Sequence, residues 1–262
     1  MTAMGVAART ERAAAVMLIA VAGWLAGLFP ALAGTAPPPC RVMEHEGLAH
    51  TVCEAAAQAD LRLFLTAPDG LPFATFSRID AVLAEEGLRL VFAMNAGMYH
   101  PDRRPVGLHV EDGRTISPIV TAAGPGNFGM LPNGVFCRTG DRFAVIESRR
   151  FASEAPPCDL ATQSGPMLLI EGALHPRFLP DSTSRFIRNG VGVSPDGHRA
   201  WFVISQGRVN FDEFARFFRD ALGVRDALYF DGNVSRLHAP SIGRADFGRP
   251  MGPVVGLVGA GG

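Results

Sequence analysis

Short apolar runs, most of them closed by turn chemistry, recur along this chain. Residues 61–66 alternate apolar and polar positions and end in Ala67-Pro68-Asp69-Gly70, the pattern of a strand followed by a turn. Ser77 with Asp80 opens a helical spacing that Gly87 stops, and 88–94 reads as a buried strand. The runs 106–110 and 115–120 flank Glu111-Asp112-Gly113-Arg114, a hairpin signal. A second pair, 134–137 and 142–147, surrounds Thr139-Gly140-Asp141, and 167–170 is turned by Glu171-Gly172.

The densest patterning lies between Arg188-Asn189-Gly190-Val191-Gly192 and Asp231-Gly232-Asn233-Val234-Ser235. Inside it, 199–205 is strand-like, preceded by the turn Ser194-Pro195-Asp196-Gly197. The stretch 211–222 predicts a helix, capped by Asn210 with Glu213 reaching back and stopped by Gly223. Phe211, Phe214, Ala215, Phe218 and Leu222 share one face of it, widened by Phe217. The run 227–230 is too short for a helix and reads as a buried strand with Asp231 at its carboxyl end. Hairpins dominate, so the predicted class is α+β: a largely antiparallel or mixed twisted sheet with a few packed helices.

The first residues follow other rules. Arg9 and Arg12 precede an apolar run over 13–30, and Ala31-Leu32-Ala33 presents the small residues of a signal-peptidase site. This predicts a signal peptide over 1–33, a mature chain from Gly34, and a periplasmic or secreted bacterial protein with no membrane span after processing. The alternative, a retained anchor, has an apolar run shorter than the roughly 20 residues that span a bilayer. An extended leader over 34–60, containing Pro37, Pro38 and Pro39, then precedes one domain over 61–262. A formal net charge of −1, with no lysine among the basic residues, excludes an electrostatic nucleic-acid binder.

Cys40, Cys53, Cys137 and Cys158 remain after processing. An even count in an exported chain reads as two disulfides, and local closure favours Cys40–Cys53 and Cys137–Cys158 over the other two connectivities. A four-cysteine zinc site would need a pair at closer spacing.

Strand ends carry the candidate chemistry. Asn95-Ala96-Gly97-Met98-Tyr99 follows one strand, Gln163-Ser164-Gly165-Pro166 precedes another, and Asp181-Ser182-Thr183-Ser184-Arg185 precedes the Arg188 block. Amides and guanidinium groups there supply directional donors, and glycines allow close approach. Asp231-Gly232 on its own is equally a common turn. The glycine-rich stretch 124–134 lacks the Gly-Lys-Ser/Thr ending of a phosphate cradle and reads as a structural loop. His100, His109, His175 and His238 are scattered, with His238 nearest the Asp231 turn. No cofactor motif and no complete set of metal ligands is visible, and the sequence leaves a divalent cation open.

Taken in order, Asn95-Ala96-Gly97-Met98-Tyr99, Gln163-Ser164-Gly165-Pro166-Met167-Leu168, Arg188-Asn189-Gly190-Val191-Gly192 and Asp231-Gly232-Asn233-Val234-Ser235 resemble the phosphodiester glycosidase family, over about residues 61–258. Ala96 departs from that family's Asn-Gly-Gly turn, and Asn233-Val234 replace two glycines of its Asp-Gly-Gly-Gly-Ser end, a variant similar to a bacterial exported subgroup. The resemblance implies hydrolysis of the glycosidic bond of a sugar 1-phosphodiester in envelope or polysaccharide material. It implies catalytic roles for Asp231, as base or nucleophile, and Arg188, as the phosphate ligand. Asn95, Gly97, Gln163, Asn189, Gly190, Gly232 and Ser235 would contact substrate, with Asp181, Arg185 and His238 in a second tier. A non-catalytic carbohydrate- or cell-wall-binding domain on the same fold is the alternative.

Overall fold

The computed structural model describes residues 38–261, and the expected signal peptide lies outside the described residues. The chain runs β1 (Cys40–His45), β2 (Leu48–Ala56), β3 (Leu61–Phe64), α1 (Phe76–Glu85), β4 (Leu88–Asn95), β5 (His109–Glu111), β6 (Arg114–Ser117), β7 (Gly134–Thr139) and β8 (Arg142–Glu147). It continues through α2 (Ser148–Glu154), β9 (Leu160–Ser164), β10 (Met167–Ile170), β11 (Ala173–Leu174), β12 (Asn189–Val193), β13 (Arg199–Ser205), α3 (Phe211–Arg216), β14 (Asp226–Asp231), β15 (Leu237–Ala239), β16 (Arg244–Ala245) and β17 (Val254–Ala260).

The strands form three antiparallel sheets. A seven-stranded sheet has the order β1-β2-β13-β12-β14-β10-β11, and two five-stranded sheets have the orders β16-β15-β4-β17-β3 and β6-β5-β9-β7-β8. One core is common to all three: Phe202, Leu228 and Phe230 from the first meet Phe92, Met94 and Val255 from the second and Phe136 and Val145 from the third. Each sheet has a second apolar face, covered by α3, α1 and α2 respectively. Alternation with period two assigns neighbours to opposite faces, so Phe230 enters the shared core while Tyr229 packs towards α3.

The leader expected over 34–60 is a correction. From Cys40 onwards it is a hairpin, turned by Glu46 and Gly47 at positive φ, and β2 pairs along β13 from Ala56 opposite Arg199 to His50 opposite Ser205. The three prolines gave no sign that Val52, Cys53 and Ala55 beyond them would be buried. The bridges Cys40–Cys53 and Cys137–Cys158 both form.

The helix expected over 211–222 begins with the anticipated Asn210–Glu213 capping box but changes character. Residues Phe217–Ala221 continue it with π-helical spacing, and Phe214, Phe217 and Phe218 are all fully buried. A wider turn presents adjacent aromatics to one surface that a strict 3.6-residue period would separate.

Candidate active site

Chain crossing between sheets positions the site. Leaving β14 at Asp231, the chain turns through 232–236 and enters β15 in the second sheet beside β4. A polar network buried at this crossing holds the turn. Asn95 Nδ2 donates to Asn189 Oδ1 at 3.1 Å, and Asn189 Nδ2 donates to the Asn95 carbonyl at 2.8 Å. The Arg236 N–H donates to Asn95 Oδ1 at 2.9 Å. Ser235 Oγ lies 3.1 Å from Asn189 Oδ1 and donates to the Asp231 carbonyl at 2.7 Å. Asn95 and Asn189 are fully buried, so leaving either amide unpaired would cost about 1–3 kcal/mol.

In front of this network lies a cavity of about 880 Å³. Asp231, Gly232, Asn233 and Val234 form one wall, the glycine-rich stretch 122–129 another, and Tyr99, Arg103, Arg249 and Pro250 a third. Asp231 is the one carboxylate among the described residues that line it. Its Oδ1 accepts the N–H groups of Gly232 at 2.6 Å and Asn233 at 2.8 Å, while Oδ2 accepts no hydrogen bond from the described residues. Burial raises the Asp231 pKa above the ordinary carboxylate value, against the pull of the N–H groups of Asn233, Gly232 and Val234.

Two phenols flank the carboxylate. Tyr99 donates to the Pro250 carbonyl at 3.1 Å and lies under the Arg103 guanidinium, 5.3 Å from the ring centroid. Its pKa is raised, first by burial and then by Asp231, with Arg103, Arg236 and Arg249 opposing. Tyr229 lies deeper, and burial pushes its phenol well above the ordinary range. A Cβ on Gly232 would stand 2.2 Å from the Tyr229 hydroxyl, so glycine is what lets the turn close over that ring.

Arg188 departs from expectation. It is 1 % exposed and does not line the cavity. Its guanidinium lies 3.7 Å from the Phe211 ring centroid, with Nε donating to the Val209 carbonyl at 2.9 Å and Nη2 to the Ser184 carbonyl at 2.8 Å. Nη1 reaches the Tyr229 hydroxyl at 3.4 Å. Burial lowers its pKa, and Tyr229 is the group that pulls it back up. Arg188 therefore lies one layer behind the wall, against Tyr229, and does not reach the cavity where the expected phosphate-ligand role would place its fork.

Other expected contact residues are also internal. Asn95, Asn189 and Ser235 belong to the network under the turn. Gln163 Oε1 accepts the N–H groups of Leu108 and Val120, both at 3.0 Å, and so ties down the start of the glycine-rich wall. Gly97, at φ +157°, permits close approach of β9, where a Cβ would stand 3.2 Å from Thr162 Oγ1. Gly190 sits at a bulge that sets Asn189 opposite Asp231 and Gly190 opposite Tyr229, and a Cβ there would meet the Leu228 carbonyl at 2.5 Å. A side chain at either glycine would press on a neighbouring strand, and neither glycine lines the cavity. Of the seven expected contact residues, Gly232 alone lines the cavity.

The second tier lies elsewhere. Asp181 is exposed, and Arg185 is paired with Glu213 at 2.8 Å. His238 faces a different cavity, with Nε2 3.3 Å from Asp80 Oδ2, and burial lowers its pKa against the pull of Asp80. The glycine-rich loop, read as structural, is a cavity wall. Tyr99 was within a quoted motif, but Arg103, Arg249 and Tyr229 carried no local signal.

Known proteins resemble this chain in sequence and in fold. The sequence profile described as phosphodiester glycosidase matches residues 89–245, from within β4 to the end of β16, which includes Asn95, Arg188 and Asp231. The uncharacterized protein YigE of Escherichia coli (strain K12) is 34 % identical over 178 residues, 68 % of this chain and 69 % of that protein. A solved structure of the zebrafish N-acetylglucosamine-1-phosphodiester α-N-acetylglucosaminidase catalytic domain, auto-inhibited by its pro-peptide, matches with a TM-score of 0.58. The match covers 83 % of this chain and 81 % of that one at 13 % identity, which establishes a shared fold.

Proposed function

This chain belongs to the phosphodiester glycosidase family, and on that premise we propose that it hydrolyses the glycosidic bond of a sugar 1-phosphodiester, releasing free sugar and a phosphomonoester. The observation that carries the reading is the Asp231 carboxylate, buried at a strand end on the wall of an 880 Å³ cavity, with Oδ1 held by the backbone N–H groups of Gly232 and Asn233. A volume in the range of small-ligand sites admits a sugar with its phosphate. Asp231 supplies the carboxylate that adds to the anomeric carbon or delivers water to it. Phosphate is already a good leaving group, so a second carboxylate acting as a strong acid is dispensable.

Charge around the carboxylate supports the same substrate. Arg103 and Arg249 line the cavity, and their guanidinium groups are suited to the two non-bridging phosphate oxygens. They take the role that the sequence assigned to Arg188. Asn127 and Asn233 offer amides for sugar hydroxyls, and Tyr99 and Phe186 offer faces for the ring. N-acetylglucosamine is the sugar that the named relative suggests. The two disulfides support a working compartment outside a reducing cytoplasm, such as the periplasm or exterior, and envelope or polysaccharide material as the substrate's source.

Hydrolysis of a synthetic N-acetylglucosamine-1-phosphodiester in ¹⁸O-labelled water tests the bond that breaks. Cleavage at the anomeric carbon yields a phosphomonoester free of label. Label in the phosphate would mean attack at phosphorus and would reject the glycosidase reading.

A further inference from the structure

A second cavity of about 580 Å³ opens at the start of α1, and hydrolysis at Asp231 uses none of it. Phe76 and Met251 give it an apolar floor, and Thr75 and Ser77 line it with hydroxyls. The His238–Asp80 pair faces the same space. Asp80 Oδ1 accepts the Leu90 N–H at 2.8 Å, and Oδ2 lies 3.3 Å from His238 Nε2. At the rim stands Phe247, 95 % exposed.

The two cavities share a wall. Arg249 and Pro250 line the first, and Phe247, Gly248 and Met251 line the second. Arg236 joins them: it lines the second cavity, donates to the Arg249 carbonyl, and is one of the charges felt by Tyr99 in the first. Gly248, at φ +142°, admits the Arg236 guanidinium where a Cβ would stand 2.5 Å from Nη2. One short segment, 247–251, thus contributes to the walls of both cavities.

We propose that the second cavity is a subsite for a further N-acetylated pyranose unit, so that the substrate is an oligo- or polysaccharide and not a single sugar. This rests on the phosphodiester glycosidase reading of the first cavity. A ring face exposed as fully as that of Phe247 gains from being covered, and the axial C–H face of a pyranose is a surface that stacks on an aromatic ring while its edges stay polar. Imidazole, carboxylate and two hydroxyls at the side match the alternating donors and acceptors of sugar hydroxyls. The apolar floor at Phe76 and Met251 suits an acetamido methyl. The volume fits one or two sugar units and is too small for a folded partner.

The test is a titration of the ¹⁵N-labelled, disulfide-bonded protein with the β-1,4 N-acetylglucosamine tetramer, followed by amide chemical shifts. Shifts should appear at Ser77, His238 and Gly248, and Kd should rise at least tenfold in Phe247→Ala, a surface change with no packing to lose. Absence of shifts at these amides at millimolar tetramer, or a Kd within twofold in Phe247→Ala, overturns the subsite. Cleavage of the small phosphodiester together with that negative result rejects the subsite alone. Tetramer binding at Phe247 in a protein that cleaves no phosphodiester rejects the hydrolytic reading and leaves the subsite standing.

Discussion

His50 couples the stability of this fold to pH. The ring is 1 % exposed on β2, with its centroid 4.0 Å from that of Phe217 and 6.0 Å from that of Phe214. Nδ1 lies 3.1 Å from the Leu48 carbonyl and carries the ring proton, while Nε2 has no partner among the described residues. Burial lowers the pKa from 6.5 to about 4, with His45 adding to the effect and the Leu48 carbonyl and Glu213 opposing it. The unfolded chain therefore binds the proton more tightly. Stability from the neutral ring is complete above pH 6.5 and is lost as pH falls through the window from 6.5 to about 4. At about 1.4 kcal/mol per pH unit, the loss at pH 4 is about 3 kcal/mol. His50→Phe keeps a stacked ring, gives up the bond to Leu48, and cannot charge. Urea unfolding of both proteins at pH 7.5 and pH 4 separates this group from the carboxylates, which titrate alike in the two. The variant should gain about 3 kcal/mol on the wild type between the two pH values, and a relative change below about 1 kcal/mol would refute the assignment.

Three further outcomes follow from the site. Arg188→Lys should destabilise the protein by about 2–4 kcal/mol, because an ammonium cannot serve two carbonyls and a phenol while stacked on Phe211; the urea midpoint measures it. Gly232→Ala should lower kcat/KM at least about tenfold by displacing the turn that holds Asp231, and adding Tyr229→Phe, which removes the clashing oxygen, should recover part of the loss. Arg103→Met and Arg249→Met should each raise KM for the phosphodiester by roughly tenfold, the value of one charge-assisted contact, and should leave binding of free N-acetylglucosamine unchanged.

Local physics explains how much was legible in the residues. The turn at Glu171-Gly172, the cap at Asn210 and the strand before Asp231 are written in neighbouring side chains, and each is found where it was expected. Both disulfides close short loops and were equally readable. What could not be read is which side of a strand end faces the cavity. Asn95, Asn189, Gln163 and Ser235 have the chemistry of ligand-binding groups, but they spend it on the turn and loop behind the cavity, a choice made by three sheets meeting. Arg188 looks like an anion ligand until the Phe211 ring covers it. Arg103 and Arg249 lie 146 positions apart and converge only because the 98–106 loop and the 249–250 segment line one cavity.

Sugar release by the Asp231→Asn protein is the most direct measurement. Wild-type and variant proteins, matched by circular dichroism and urea midpoint, are compared for free N-acetylglucosamine released from a synthetic N-acetylglucosamine-1-phosphodiester across pH 3 to 8. The amide would keep the shape of the turn and lose the charge. Turnover should fall at least about a hundredfold. In the wild type, the acid limb of kcat/KM should lie above the ordinary carboxylate pKa, since burial raises that of Asp231 and the reaction uses its ionised form. A folded Asp231→Asn protein that keeps its turnover within about tenfold of wild type would contradict the assignment of Asp231 as the catalytic carboxylate.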